Sequence, residues 1–189
     1  MKPLTPTTPH VIIMVGIPGA GKTTFAAHFA KTFHAPYINP LEIAEQAKIG
    51  AAATVKVTEV LFNELLKTNQ TIIYEGPTYT KIQRLAAVKK VINAGYKPLL
   101  VWVQTESIEA KRRATKKQPT GNNLTSEGFD AAIKRFQPPT AVEKAVVISG
   151  KHTYATQVKA VLKHLAGARA EMPIVDKPRP ATGRNIIVR

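Results

Sequence analysis

The chain has no cysteine, a single tryptophan, and only 12 acidic residues against 27 lysines and arginines. Without cysteine, disulfide staples and thiolate metal sites are excluded, and a reducing, cytoplasmic setting is the expected one. No apolar run approaches the roughly 20 residues that a membrane-spanning helix requires. The apolar stretch Val11–Val15 is also too short for the core of a signal peptide, and no small-residue cleavage site follows it. No membrane partner is therefore expected. The shortage of acid leaves a formal net charge of +15 over 189 residues. Such an excess favours polyanions, anionic nucleotides or acidic surfaces as partners and is silent on fold. With 44% apolar and 21% charged residues, the composition is that of a globular protein able to bury one substantial core.

Short apolar runs alternate with longer helical patterns. His10–Val15 reads as a buried strand, followed by a helix over Lys22–Phe33 with Phe25, Ala26, Phe29, Ala30 and Phe33 on one face. Pro36–Asn39 is a short second strand. Leu41–Lys48 and Ala51–Lys67 read as two helices hinged near Gly50, the second with Val57, Val60, Leu61 and Leu65 inward. Strands are expected at Thr71–Glu75, Pro98–Gln104 and Ala145–Ile148, and helices at Lys81–Asn93, Ile108–Thr115 and Thr153–Leu165. Strands and helices in alternation with short connections imply a parallel sheet covered on both faces. Residues 1–166 form the expected domain. Two segments stand outside the pattern: polar Lys116–Thr125, expected to be a mobile loop, and a basic, proline-containing tail over 167–189. The tail is either an extended linker or an arm packing through Ile186-Ile187-Val188.

Gly16-Ile17-Pro18-Gly19-Ala20-Gly21-Lys22-Thr23 meets every fixed position of G-x-x-x-x-G-K-[ST], between an expected strand and an expected helix. Glycines let the backbone wrap closely, so that successive N–H groups face phosphate oxygens. The helix N-terminus adds free donors and partial positive charge. Residues 16–24, with Thr24 closing the stretch, are thus expected to hold ATP or GTP. Lys22 should reach the β- and γ-phosphates, and the Thr23 hydroxyl should join a Mg²⁺ shell. Glu75 closes the strand "TIIYE" at a carboxyl end beside this loop, where ligand chemistry collects in open α/β sheets. It can hold a Mg²⁺-bound water, contact an acceptor or act as base.

The phosphate loop followed in order by "TIIYEGPTYT", "RLAAVKKVINAGYKPLLVWV", "SIEAKRRATKK" and "EGFDAAIKRFQPP" resembles the small P-loop kinases grouped with polynucleotide 5′-hydroxyl kinases and zeta toxins. The resemblance spans about residues 10–165. It implies an α/β three-layer sandwich with a five-stranded parallel sheet of order 2-3-1-4-5, a mobile lid after the fourth strand, and phosphoryl transfer to a hydroxyl. In these kinases the stretch matching "YINPLEI" carries a catalytic aspartate, and the corresponding position here is Leu41, with Glu42 adjacent. A leucine accepts no proton, and one step along a helix turns a side chain by roughly 100°, so Glu42 takes the role only through a shifted turn. The resemblance further implies that Arg113 and Arg112 close over the triphosphate, and that His152 borders the nucleobase.

Three functions follow as expectations. The first is an ATP-dependent kinase acting on a polynucleotide 5′-hydroxyl, favoured by the charge. The second is a zeta-toxin-like kinase of a nucleotide sugar or other small molecule. The third is a nucleotide-dependent nucleic-acid binder whose transfer chemistry has faded at Leu41. A groove lined by Lys81, Arg84, Lys89, Lys90, Lys97, the basic cluster Lys111, Arg112, Arg113, Lys116 and Lys117, and the tail arginines Arg169, Arg179, Arg184 and Arg189 would give single-stranded nucleic acid a path to the loop.

Overall fold

A computed structural model describes residues 8–116 and 124–167. Residues 168–189 of the expected tail and the 117–123 part of the expected loop, including Lys117, lie outside them. The strands are β1 (His10–Val15), β2 (Tyr37–Ile38), β3 (Ile72–Tyr74), β4 (Lys97–Gln104) and β5 (Val146–Ser149). All pair in parallel, in the order β2-β3-β1-β4-β5 expected for the sheet. The helices are α1 (Lys22–Phe33), α2 (Pro40–Ala47), α3 (Ala51–Leu65), α4 (Lys81–Asn93), α5 (Ser107–Thr115), α6 (Ser126–Arg135) and α7 (Tyr154–Gly167).

Strand β1 lies between β3 and β4, and all six of its residues are buried. This explains an uninterrupted apolar run in place of alternation. Successive side chains still diverge. Ile12 and Met14 join the core beneath α1 and α7, with Phe25, Phe29, Val161 and Leu165. Val11, Ile13 and Val15 join the opposite core beneath α3 and α4, with Phe62, Val91 and Leu100. Two helical layers therefore clamp one sheet, and the carboxyl ends of β1, β3, β4 and β5 share one edge of it.

Two elements differ from the sequence reading. Helix α3 buries Thr54, Thr58 and Phe62, whereas Val57, Val60 and Leu61 are exposed. The Phe62 ring stacks on Tyr74, centroids 4.4 Å apart and planes 9° apart, and this one aromatic contact sets the rotation of the helix against its aliphatic count. Helix α6 follows the expected loop, in a segment to which the sequence reading assigns no element. Its start is marked by Thr125, whose hydroxyl accepts from the Gly128 N–H at 3.0 Å.

Candidate active site

Strand β1 delivers the chain to the loop of residues 16–21, and α1 starts at Lys22. Gly19 sits at φ 73° and Gly21 at 104°, left-handed values that favour glycine. Gly19 is doubly constrained, because a Cβ there would run into the backbone carbonyl of Ala110. Helix α5 thus rests directly on the loop through Ala110, which is wholly buried. A Cβ on Gly150, beyond β5, would likewise strike the Ala20 carbonyl, which accepts from the Thr105 hydroxyl at 2.9 Å. Pro18 is half-buried in the loop, and Thr24 is exposed on the first turn of α1. That turn has no side-chain cap, which leaves the positive end of the helix directed at the loop. The Lys22 ammonium donates to the Ile17 carbonyl at 3.0 Å. Burial lowers its pKa, against the opposing pull of the Glu75 charge.

Beside Lys22, the Glu75 carboxylate accepts from the Thr23 hydroxyl at 2.9 and 3.1 Å and from the Tyr37 hydroxyl at 2.6 Å. Pairing of β2 with β3 sets Tyr37 opposite Ile73, and the Glu75 N–H donates to the Ile38 carbonyl at 3.0 Å. The ladder thereby carries both side chains to the sheet edge. Burial, then the charge and hydrogen bond of Glu75, raise the Tyr37 pKa far above its ordinary value, so Tyr37 remains a donor. No group of three His, Asp or Glu residues that could enclose a metal occurs among the described residues. Thr23 and Glu75 nevertheless offer adjacent hard oxygens, the donor set that fits Mg²⁺, which takes few protein ligands and completes its shell with phosphate and water.

Leu41 is 70% exposed on the first turn of α2, and its N–H is capped by the Asn39 carboxamide at 3.1 Å. The Glu42 carboxylate accepts from Gln46 one turn on, at 3.1 Å. On α5, Arg112 and Arg113 both bind the Glu109 carboxylate, with donor–acceptor distances of 2.8 Å. The hydrogen bonds from Arg112 and then Arg113 hold the pKa of Glu109 at about 2. Arg113 also donates to the Gly150 carbonyl at 3.0 Å, joining α5 to the loop after β5. His152 is exposed in that loop. Lys151, paired to Glu106 at 2.7 Å, lines an open cleft of about 460 Å³ with Ile17, Trp102, Thr105 and Phe136. It also lines a second cleft, of about 340 Å³, with Ile108, Glu109 and Arg113. Arg84, counted among the groove cations, is instead 1% exposed. It is bound to Glu143 at 2.6 and 3.0 Å, and its Nη1 donates to the carbonyls of Thr78 and Gln137. It is a structural cation, closed to any polyanion.

Sequence reasoning passed over Tyr37, Glu109 and Thr105. Tyr37 had a signal, since the last residues of a parallel strand lie at the ligand edge. Glu109 had one too, three and four residues before the arginines it binds.

A parallel sheet of this order, with a glycine loop between β1 and α1 and a carboxylate at the end of β3, defines the P-loop NTPase fold. Residues 11–139 match the AAA domain family, and the chain belongs to it. The fold is shared with Chaetomium thermophilum Kti12 in complex with ADP-AlF3, at 14% identity and a TM-score of 0.65, over 82% of this chain and 97% of that one. It is shared with a gluconokinase from Sinorhizobium meliloti 1021, at 15% identity and 0.61, over 86% and 95%. The Mycobacterium tuberculosis APS kinase CysC in complex with AMPPNP and APS is similar at 15% identity and 0.61, over 84% and 98%. At these identities the likeness is one of fold. No curated protein sequence matches the chain.

Proposed function

We propose that the protein binds ATP with Mg²⁺ at residues 16–24 and transfers the γ-phosphoryl group to a hydroxyl acceptor, a polynucleotide 5′-hydroxyl being favoured. The observation that carries the reading is the Glu75 carboxylate held against Thr23 at the phosphate loop. Bound Mg²⁺ supplies charge neutralisation on the phosphates. Lys22 would exchange the Ile17 carbonyl for phosphate oxygens, and Arg113, with Arg112, would exchange Glu109 for charge developing on the transferred group. His152 would face the nucleobase. The acceptor oxygen bonds to the γ-phosphorus as the bond to the departing ADP breaks, and the acceptor proton passes to a carboxylate, Glu75 or Glu42. The 5′-end acceptor is supported by the net charge of +15. The gluconokinase and APS kinase neighbours are the support for a small-molecule acceptor.

Exposed Leu41 in place of an aspartate favours a second reading, a nucleotide-dependent nucleic-acid binder without transfer. Labelled ATP offered with 5′-hydroxyl DNA, 5′-hydroxyl RNA and sugar acids separates these, since only the kinases release ADP in proportion to acceptor. Lys22→Ala removes a charge-assisted contact of about 1.5–3 kcal/mol. It should weaken ATP binding roughly tenfold or more in titration calorimetry; equal binding overturns the assignment.

A further inference from the structure

We infer that Tyr37 is a positioning residue for the metal side of this site: its hydroxyl fixes the Glu75 carboxylate so that Mg²⁺ strengthens nucleotide binding. The inference rests on the nucleotide-binding reading above and adds to it a residue outside the phosphate loop.

Glu75 has two hydroxyl donors, and they differ in what else they have to do. Thr23 belongs to the phosphate loop and bonds to both carboxylate oxygens, at 2.9 and 3.1 Å. With that hydroxyl committed to a nucleotide-bound metal, Tyr37 is the donor left to Glu75. Its bond is the shorter, 2.6 Å to Oε2, in the range of a charge-assisted hydroxyl–carboxylate contact. The placement is rigid for three reasons. Tyr37 is one of only two residues in β2, and both are paired to β3. The next pairing step, from the Glu75 N–H to the Ile38 carbonyl, locks the carboxylate's own backbone to the same strand. The partly buried Tyr37 packs against the core beneath α1, so the phenol has little freedom to swing away. A free strand-end glutamate would sample several rotamers and pay ordering entropy each time a metal bound. Held between Thr23 and Tyr37, it is ordered in advance.

The geometry ties Tyr37 by hydrogen bond to Glu75 and not to Glu42. Leu41 and Glu42 lie on α2, beyond Asn39. Tyr37 touches Glu75, whereas Glu42 is engaged with Gln46. Loss of the phenol hydroxyl should therefore alter the metal response first.

The test measures ATP affinity by calorimetry for the full chain with EDTA and across a Mg²⁺ titration, in wild type, Tyr37→Phe, Glu75→Gln and Lys22→Ala. Phe keeps the ring and its packing, and melting temperatures verify that each variant is folded. The expected result is that Tyr37→Phe binds ATP in EDTA as wild type does, while the Mg²⁺ concentration for half-maximal enhancement rises about tenfold, the scale of one hydrogen bond to a charged group. Glu75→Gln should lose at least as much of the enhancement. Tyr37→Phe with an unchanged Mg²⁺ response beside an impaired Glu75→Gln overturns the inference and leaves the site reading standing. An equal loss in EDTA and in Mg²⁺ overturns it as well, because it marks Tyr37 as structural only. Lys22→Ala binding as wild type would instead remove the nucleotide reading itself.

Discussion

Glu75 is the residue on which the proposed chemistry turns. Removing a general base usually lowers rate by about 10²–10⁴, so Glu75→Gln should abolish nearly all acceptor-dependent ADP release while still binding ATP. A Glu75→Gln, Glu42→Gln double variant with full turnover would refute any carboxylate-dependent transfer here. Leu41 supplies the complementary experiment. Its side chain is 70% exposed, so an aspartate fits without repacking, and Leu41→Asp should raise the transfer rate if a carboxylate at this position serves the acceptor. The two arginines of α5 show why sequence position alone does not define a role. Both are occupied by Glu109, which must yield them before either can meet a phosphate.

At the scale of elements, the segment after α6 is pinned to the start of α4 by one buried ion pair. Arg84 and Glu143 are 1% and 5% exposed, and the Arg84 hydrogen bond is the foremost cause holding the Glu143 pKa at about 2, down from 4.5. A folded-state pKa below the unfolded value contributes stability that is present above pH 4.5 and is lost as pH falls toward 2. Acid denaturation followed by circular dichroism should therefore show a stability decline in that window, and Glu143→Gln should remove this component of it. The variant should also lose about 3–5 kcal/mol at neutral pH, since it leaves a buried guanidinium without its counter-ion; urea unfolding measures the loss. A smaller loss, within 1 kcal/mol, would mean that carbonyls alone satisfy Arg84.

For the whole molecule, the open question is what the +15 charge meets. Arg84 is unavailable, Lys90 lies 3.4 Å from Glu59, and Lys111 lies 2.9 Å from Asp130, so the described surface offers fewer open cations than the composition suggests. If single-stranded nucleic acid is the partner, each phosphate neutralised adds a slope of about −0.7 to log K against log salt, and five contacts give roughly −3.5. Fluorescence anisotropy with a labelled oligonucleotide across a salt series measures it, and a flat profile would turn the assignment toward a small-molecule acceptor. Truncation after Gly167 removes five basic and two acidic residues. It should weaken that binding and leave ATP affinity unchanged, whereas a lowered melting temperature would indicate a packed arm.

Local signals determined most of the fold by themselves. The glycine pattern, the apolar run of β1 and the 3.6-residue spacing of α1 are each readable within a dozen residues, because loop closure and helix amphipathicity are short-range. Those signals implied the parallel sheet and the carboxylate at the end of β3, whereas the strand order is implied by the resemblance to small P-loop kinases. Three outcomes needed the tertiary structure. The rotation of α3 depends on Phe62 meeting Tyr74, a contact between elements. The burial of Arg84 depends on Glu143, 59 residues away, which turns a surface charge into a core one. The grouping of Thr23, Tyr37 and Glu75 depends on the sheet register, which brings residues separated by up to 52 positions within hydrogen-bond reach. Charge and hydrogen-bond partners are set by distance in space, and a pattern along the chain carries that distance only when both partners share one element.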